Sequence, residues 1–474
     1  MARAITTDLC VIGAGSAGLA VAAGAVQMGA EVVLIEKGRM GGDCLNYGCV
    51  PSKSLIAASK AAQTVRTAAR FGVNGHEPAI DFQAVHDHVM GVIAAIAPHD
   101  SAERFAGLGV KVVRAPAHFV GPHEVAAGEA RITARRFVVA TGSSPALPPV
   151  PGLAEAPHLT NETVFDLTER PEHLIVLGGG PIGCELAQAQ RRLGARVTLL
   201  ELFTILPKDD PAAVEVVRRQ LLAEGIDLRE QVAVTGVERE GNGVAITLEQ
   251  AGVQERLTGS HLLVAAGRRA NVEGLGLAAA GVEHSPKGIK VDARLRTTNR
   301  RIYAIGDVAG GLQFTHVAGY HAGIVIRNAL FRLPARVDTS AVPWVTYTEP
   351  ELAQVGLGEA AARERGLEVE VLTWPFAEND RAQAERATAG FVKVLVGRRG
   401  RILGATIVGE RAGELIQPWV LAISTGQRIG SMAQFVAPYP TLGEASKRAA
   451  GSHYTPKLFS ERTRRIVRFL QRLP

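Results

Sequence analysis

Cysteine is scarce in this chain, with only four in 474 residues. Two of them, Cys10 and Cys184, lie inside apolar patterns that read as strand and helix interior, where a thiol packs as a small hydrophobe. The start, MARAITTDLCVIGAG, has no basic segment followed by a long apolar stretch and a small-residue cleavage site, which argues against a secretory signal. Apolar runs are broken by glycine or charge before about 18 residues, the length needed to cross a bilayer. No long block of one charge sign occurs, and 52 Lys and Arg against 46 Asp and Glu leave a net charge of only +6, which gives no case for nucleic acid. A cytoplasmic enzyme with no transmembrane segment and no bound metal is the expectation. An apolar content of 47% describes a well-buried globular protein, and the length points to about three domains.

What is present is concentrated in a few motifs. The other two cysteines, Cys44 and Cys49, stand in GGDCLNYGCVPSK, preceded by Gly41 and Gly42 and followed by Pro51 and Lys53. In a regular helix this five-residue step rises about 7.5 Å, whereas a disulfide tolerates Cα separations of about 7 Å or less. The backbone must therefore be distorted where the sulfurs meet, and Gly41, Gly42 and Gly48 supply the freedom for it and for close approach to a flat ring system. A mildly strained, accessible bridge is also easier to reduce. The run reads as a redox-active disulfide beside a flavin; a structural bridge or two buried free thiols are the alternatives.

Just upstream, Leu9 to Ile12 reads as a short buried strand that enters Gly13-Ala14-Gly15-Ser16-Ala17-Gly18, a helix-compatible stretch from Leu19 to Met28, and a second strand from Val32 ending at Glu36. In this order of elements a pyrophosphate rests on the helix N-terminus and an acidic side chain takes ribose hydroxyls. The plan returns at Leu174 to Leu177, at the glycines Gly178, Gly180 and Gly183, and at Val197 to Glu201. Gly178, Gly183 and Glu201 each lie 165 positions after Gly13, Gly18 and Glu36. Two dinucleotide sites follow, and because the cysteines trail the first, FAD is assigned there and NAD to the second. Glu201 can accept from a free 2′-hydroxyl but repels a 2′-phosphate, and Leu202 to Leu206 offers no arginine to receive one, so NADH is preferred over NADPH.

Together these residues resemble the class I pyridine nucleotide-disulfide oxidoreductases, the family of dihydrolipoamide dehydrogenase, glutathione reductase and mercuric reductase. The resemblance covers almost the whole chain. It extends to Ala140-Thr141-Gly142, Ala266-Gly267-Arg268 before Asn271, Ile302 to Asp307, and Tyr347-Thr348-Glu349-Pro350-Glu351. It implies an α/β fold with two interleaved Rossmann-like dinucleotide-binding domains and a C-terminal α+β dimerisation domain. The expected boundaries are 1–150 with 271–342 for FAD, 151–270 for NAD, and 343–474 for dimerisation. It further implies a homodimer, Asp307 on the ribityl chain, Thr315 at a helix start aimed at the flavin, Thr141 and Gly142 in the cofactor cradle, and Arg268 between the cofactors. Lys53 is expected near the flavin, paired with Glu185, with Cys49 the flavin-proximal sulfur and Cys44 the exchanging thiol.

One departure stands out. Relatives carry a His-Pro-Thr-x-Ser-Glu run whose histidine is the base for the exchanging thiol; this chain has Tyr439-Pro440-Thr441-Leu442-Gly443-Glu444. A phenol of ordinary pKa about 10 is a poor base near neutrality but a competent donor. Tyr439 and Glu444 are expected to set the thiol environment across the dimer interface, with His321 and His453 open as displaced bases. The sequence therefore predicts an NADH-linked oxidoreductase acting on a small-molecule or protein-bound dithiol or disulfide, most like dihydrolipoamide dehydrogenase. A metal or quinone reductase of the mercuric reductase type, lacking its C-terminal cysteine pair, is the alternative within this chemistry, and a redox-sensing flavoprotein without turnover is the alternative outside it. The basic, amphipathic run Glu461 to Leu470 reads as a solvated or dimer-packed terminal helix, with weak membrane-surface contact as the other reading.

Overall fold

The computed structural model describes residues 3–473. Its strand Arg3–Ile12 shows why an unbroken apolar run belongs in a parallel sheet. Leu9 and Val11 face one hydrophobic cluster, while Cys10 and Ile12 face another on the opposite side. Both faces are thus buried over residues 9–12, where polar and apolar residues do not alternate, whereas residues 4–7 alternate between exposed and buried positions. Cys10 and Cys184 are fully buried, as their apolar surroundings predict, and burial pushes the Cys10 thiol well above its ordinary range.

This strand sits in a seven-stranded sheet, between Val32–Glu36 and Ala130–Val139, with Lys111–Arg114 beyond the former. A meander of Ala117–Gly121 and Glu124–Ala127 continues from Ala130–Val139, and Ile302–Ala304 also pairs with that strand in parallel. The return of the chain at Ile302–Ala304, after the second nucleotide fold, makes this fold discontinuous. A separate parallel sheet runs Asp227–Arg229, Arg196–Leu200, His173–Leu177, His261–Val264. A three-stranded antiparallel layer, Ala233–Glu240, Gly243–Gln250 and Val253–Gly259, is inserted in sequence between Asp227–Arg229 and His261–Val264. The chain crosses between the folds on a two-stranded ribbon that pairs Ser143–Pro145 with Arg268–Ala270.

By internal contacts the chain divides into two compact units, one of residues up to Phe203 with Ile226–Val337, the other of Thr204–Gly225 with residues from Asp338 onward. The second unit is built on a five-stranded antiparallel sheet ordered Pro343–Thr346, Glu351–Gly356, Ile402–Gly409, Phe391–Val396, Glu370–Pro375. The helix Pro211–Ala223 packs on two of these strands. Asp210 both caps that helix and takes the Lys393 ammonium at 2.8 Å, a buried cation that Glu359 also holds at 2.8 Å.

Candidate active site

The two glycine turns repeat the same local features at the 165-position offset. Gly13 (φ 103°) and Gly178 (φ 113°) both take a left-handed conformation that only glycine adopts freely. A methyl at Gly18 would run into the carbonyl of Gly13, and one at Gly183 into that of Gly178. The helices Ser16–Gln27 and Pro181–Arg192 start at equivalent points, each with an extended glycine, Gly15 or Gly180, before it. Their first N–H groups are donors with no intrahelical acceptor, and they carry the positive end of the helix dipole.

The terminal acids repeat as well. Glu36 accepts from the backbone N–H groups of Ala14 and Gly38, both at 2.6 Å. Glu201 accepts from Gly179 at 2.6 Å and from Phe203 at 3.0 Å, the matching positions. A carboxylate has about four acceptor sites, so two remain on each for sugar hydroxyls. Around Gly180 and Gly142 an added Cβ would meet no protein atom within 4 Å. At the second turn, open space around Gly180, glycine backbone and an oriented carboxylate fit a dinucleotide, and the first turn repeats the backbone and the carboxylate with Gly42 lying against Gly15.

The cysteine motif closes on the first turn. Gly41 (φ 87°) and Gly42 (φ 61°) bend the chain so that a Cβ on Gly42 would lie 2.6 Å from the Cα of Gly15. The expected distortion between the cysteines is a break at Tyr47 and Gly48 between the helices Gly42–Asn46 and Cys49–Thr67. Gly48 keeps a negative φ, and is required instead because a side chain there would press on Asp43 and the Cα of Cys44. Both cysteines are free thiols in this structure, Cys44 half-buried and Cys49 exposed.

The two sulfurs are electrostatically unequal. The hydrogen bond from Cys44 lowers the Cys49 thiol to about 6, against burial, with help from Thr315 and the Lys53 charge. Cys44 is pushed well above its ordinary range by that same bond, which favours keeping its proton, and by burial. Thr315 opens the helix Thr315–Ala329 and places its Oγ1 3.4 Å from the Cys49 Sγ, so a helix N-terminus faces the thiolate. Lys53 Nζ lies 2.8 Å from the Oε2 of Glu185, a buried carboxylate on the second fingerprint helix.

Arg268 reaches across the ribbon. Its Nε donates to Ser143 Oγ at 2.8 Å and its Nη2 to the Ser143 carbonyl at 2.9 Å, while Nη2 also pairs with Asp43 at 3.2 Å. Ser143 in turn donates to Asp307 Oδ2 at 2.6 Å, and burial raises the Asp307 carboxyl. Thr141 and Asn271 lock the crossover by exchanging side-chain-to-carbonyl bonds of 2.8 and 2.9 Å. Asn161, itself buried, donates to Asp43 Oδ1 and to the Tyr47 carbonyl, both at 3.1 Å. Asp43, Ser143 and Asn161 were not anticipated from the sequence. Asp43 had a visible cue, a charge set against the first cysteine.

In the second unit the Tyr439 hydroxyl donates to Asp380 Oδ2 at 2.8 Å, a partner also not anticipated, and that bond raises the phenol further above neutrality. Glu444 opens the helix Glu444–Ser452, where a carboxylate suits the positive dipole end. His321 is buried and accepts from the Gly306 N–H at 3.2 Å, and burial lowers its pKa, so it serves the core of its own unit. His453 Nδ1 lies 2.6 Å from Glu370. Among the described residues no His, Cys, Asp and Glu cluster has a metal-holding arrangement, and no helix is long and apolar enough to cross a membrane.

The pyridine nucleotide-disulphide oxidoreductase family model matches residues 7–322, and that family's dimerisation domain matches residues 342–450. The chain is 38% identical to a mercuric reductase of Streptomyces lividans over 94% of this chain and 95% of that one. It is 35% identical to a dihydrolipoyl dehydrogenase of Bacillus subtilis over 94% of this chain and 96% of that one. Among solved structures, LpdA from Mycobacterium tuberculosis superimposes with a TM-score of 0.86 at 28% identity, covering 94% of this chain and 99% of that one. The HOCl-induced flavoprotein disulfide reductase RclA from Escherichia coli gives a TM-score of 0.83 at 27% identity, with the same coverage of 94% and 99%.

Proposed function

Because the chain belongs to the pyridine nucleotide-disulphide oxidoreductases, a family that uses FAD and a pyridine nucleotide, we propose that it is an NADH-linked disulfide oxidoreductase working through Cys44 and Cys49. The observation that carries this reading is the unequal thiol pair, with Cys49 held as a thiolate at the mouth of a helix and beside the Lys53–Glu185 ion pair. Bound FAD would supply the two-electron link between the nicotinamide and this pair. The chain's own residues hold the charge: Lys53 and Thr315 favour the Cys49 anion, and Arg268 with Ser143 orients Asp307 toward the first cradle. An external disulfide is opened when a thiolate of the pair attacks one sulfur and releases one thiol. The second sulfur of the pair then displaces the other thiol and the Cys44–Cys49 bridge closes.

We place the protein in the cytoplasm as a homodimer, with the dimerisation domain of one subunit completing the thiol site of the other through Tyr439 and Glu444. Tyr439 then offers no base near neutrality, since Asp380 holds its one hydroxyl proton and raises the phenol. Oxidation of a dithiol, which needs the Cys44 proton chemistry run with a base nearby, is correspondingly weak. Tyr439→His is expected to raise dihydrolipoamide oxidation by about 10²-fold, the scale of a restored general base. Tyr439→Phe should lower disulfide reduction without moving an acid limb near pH 6. Unchanged reduction in both Tyr439→Phe and Glu444→Ala would remove this role.

The same tyrosine favours a second reading, a reductase of a thiol-bound metal ion or a quinone, for which loss of the base is no handicap. The non-turnover alternative has no support from a site that keeps both thiols, the lysine and its acid. A turnover panel with NADH or NAD against lipoamide, dihydrolipoamide, glutathione disulfide, Hg(II) and quinones separates the readings. For the nicotinamide, Glu201 gives a further expectation: Glu201→Ala should reduce the preference for NADH over NADPH by at least about tenfold, because a like charge no longer opposes the 2′-phosphate. Equal use of both by the unaltered protein would sink the NADH assignment.

A further inference from the structure

The C-terminal run forms the helix Glu461–Leu470, started by Ser460, whose Oγ accepts from the Thr463 N–H at 3.3 Å. The helix has no buried residue. Ile466, Phe469 and Leu470 share one face of the helix at i, i+3 and i+4 spacing, and Leu473 follows just past its end. They are 49, 62, 54 and 54% exposed, and Phe459 just upstream is 68% exposed. Arg464 and Arg468 fall on the opposite side, Arg465 lies on the flank and Arg462 on the apolar side itself, with Arg472 just past the helix end. Glu461, the one acid in the helix sequence, contacts Arg464 at 3.2 Å and Arg468 at 3.9 Å.

We propose that this helix docks the protein on an anionic phospholipid surface, with Ile466, Phe469 and Leu470 in the acyl boundary and the arginines at the phosphate level. At ten residues it is about 15 Å long, too short to span but long enough to lie in the interface plane. Charge selects the occupant. Another copy of the helix would set arginines against arginines with only Glu461 to offset them, whereas an anionic leaflet answers every arginine and accepts the apolar face. The docking surface is independent of the redox reading.

The test is cosedimentation of the full-length, FAD-loaded protein with vesicles of phosphatidylcholine alone and of phosphatidylcholine mixed with phosphatidylglycerol, alongside light scattering for oligomeric state. The protein is expected to pellet only with the anionic vesicles and to be released as salt rises. Phe469→Asp with Leu470→Asp, and separately Arg464→Gln with Arg465→Gln and Arg468→Gln, should each weaken vesicle binding by at least about tenfold. Turnover in solution and oligomeric state should stay unchanged in both variants. Failure to bind anionic vesicles, equal binding to neutral ones, or a changed oligomer in the Phe469→Asp, Leu470→Asp variant would overturn the proposal, the last by showing that the face packs within the dimer.

Discussion

Replacing either Cys44 or Cys49 by serine is expected to lower disulfide reduction by at least about 10³-fold, because each sulfur is needed to open and re-close the bridge. The two variants should differ in colour. In Cys44→Ser the remaining Cys49 keeps Thr315 and Lys53, and a serine hydroxyl can replace the donor, so a thiolate beside the flavin should absorb at long wavelength without added reductant. In Cys49→Ser that band should be absent, since the sulfur that Thr315 and Lys53 stabilise as an anion is gone. Retained turnover in either variant would place the chemistry elsewhere.

Gly18→Ala and Gly183→Ala should separate the two dinucleotide sites. Each methyl meets the carbonyl that starts its own turn, with about 1–3 kcal/mol of overpacking in the place proposed for a pyrophosphate. Gly18→Ala is expected to yield largely colourless protein with little FAD per chain. Gly183→Ala should keep its flavin but lose one to two orders of magnitude in apparent NADH affinity, of the order that overpacking energy implies. Flavin content by absorbance and the NADH dependence of anaerobic flavin reduction check the pair. The opposite pattern, with flavin lost in Gly183→Ala alone, would reverse the assignment of FAD and NAD.

The features most readable from sequence were those that the local backbone dictates. Gly13 and Gly178 need a left-handed conformation, Gly18 and Gly183 must touch a carbonyl five residues back, and both acids cap the turns they follow. Such requirements repeat with the chain, so the 165-position offset carried them. The break between the cysteine helices was legible for the same reason, although Gly48 answers a contact rather than a left-handed φ. What stayed hidden depends on tertiary approach: Asp380 is 59 positions from Tyr439, and Arg268 meets Asp43 only after the chain has crossed the ribbon. The helix Pro211–Ala223 groups with the second unit because its apolar side is covered by that unit's sheet, and helical periodicity says nothing about which sheet covers it.

The central claim is that a Cys49 thiolate sits against the flavin once the bridge with Cys44 opens. Anaerobic titration with NADH, repeated across pH, tests it most directly. The account predicts a long-wavelength absorbance that grows with the first equivalent of NADH and is fully present well above pH 6. It should fade as pH falls through about 6, where the lowered Cys49 thiol takes up its proton. A flavin that bleaches directly with no such band at any pH, or a band whose midpoint stays near 9 as for an unperturbed thiol, would contradict it.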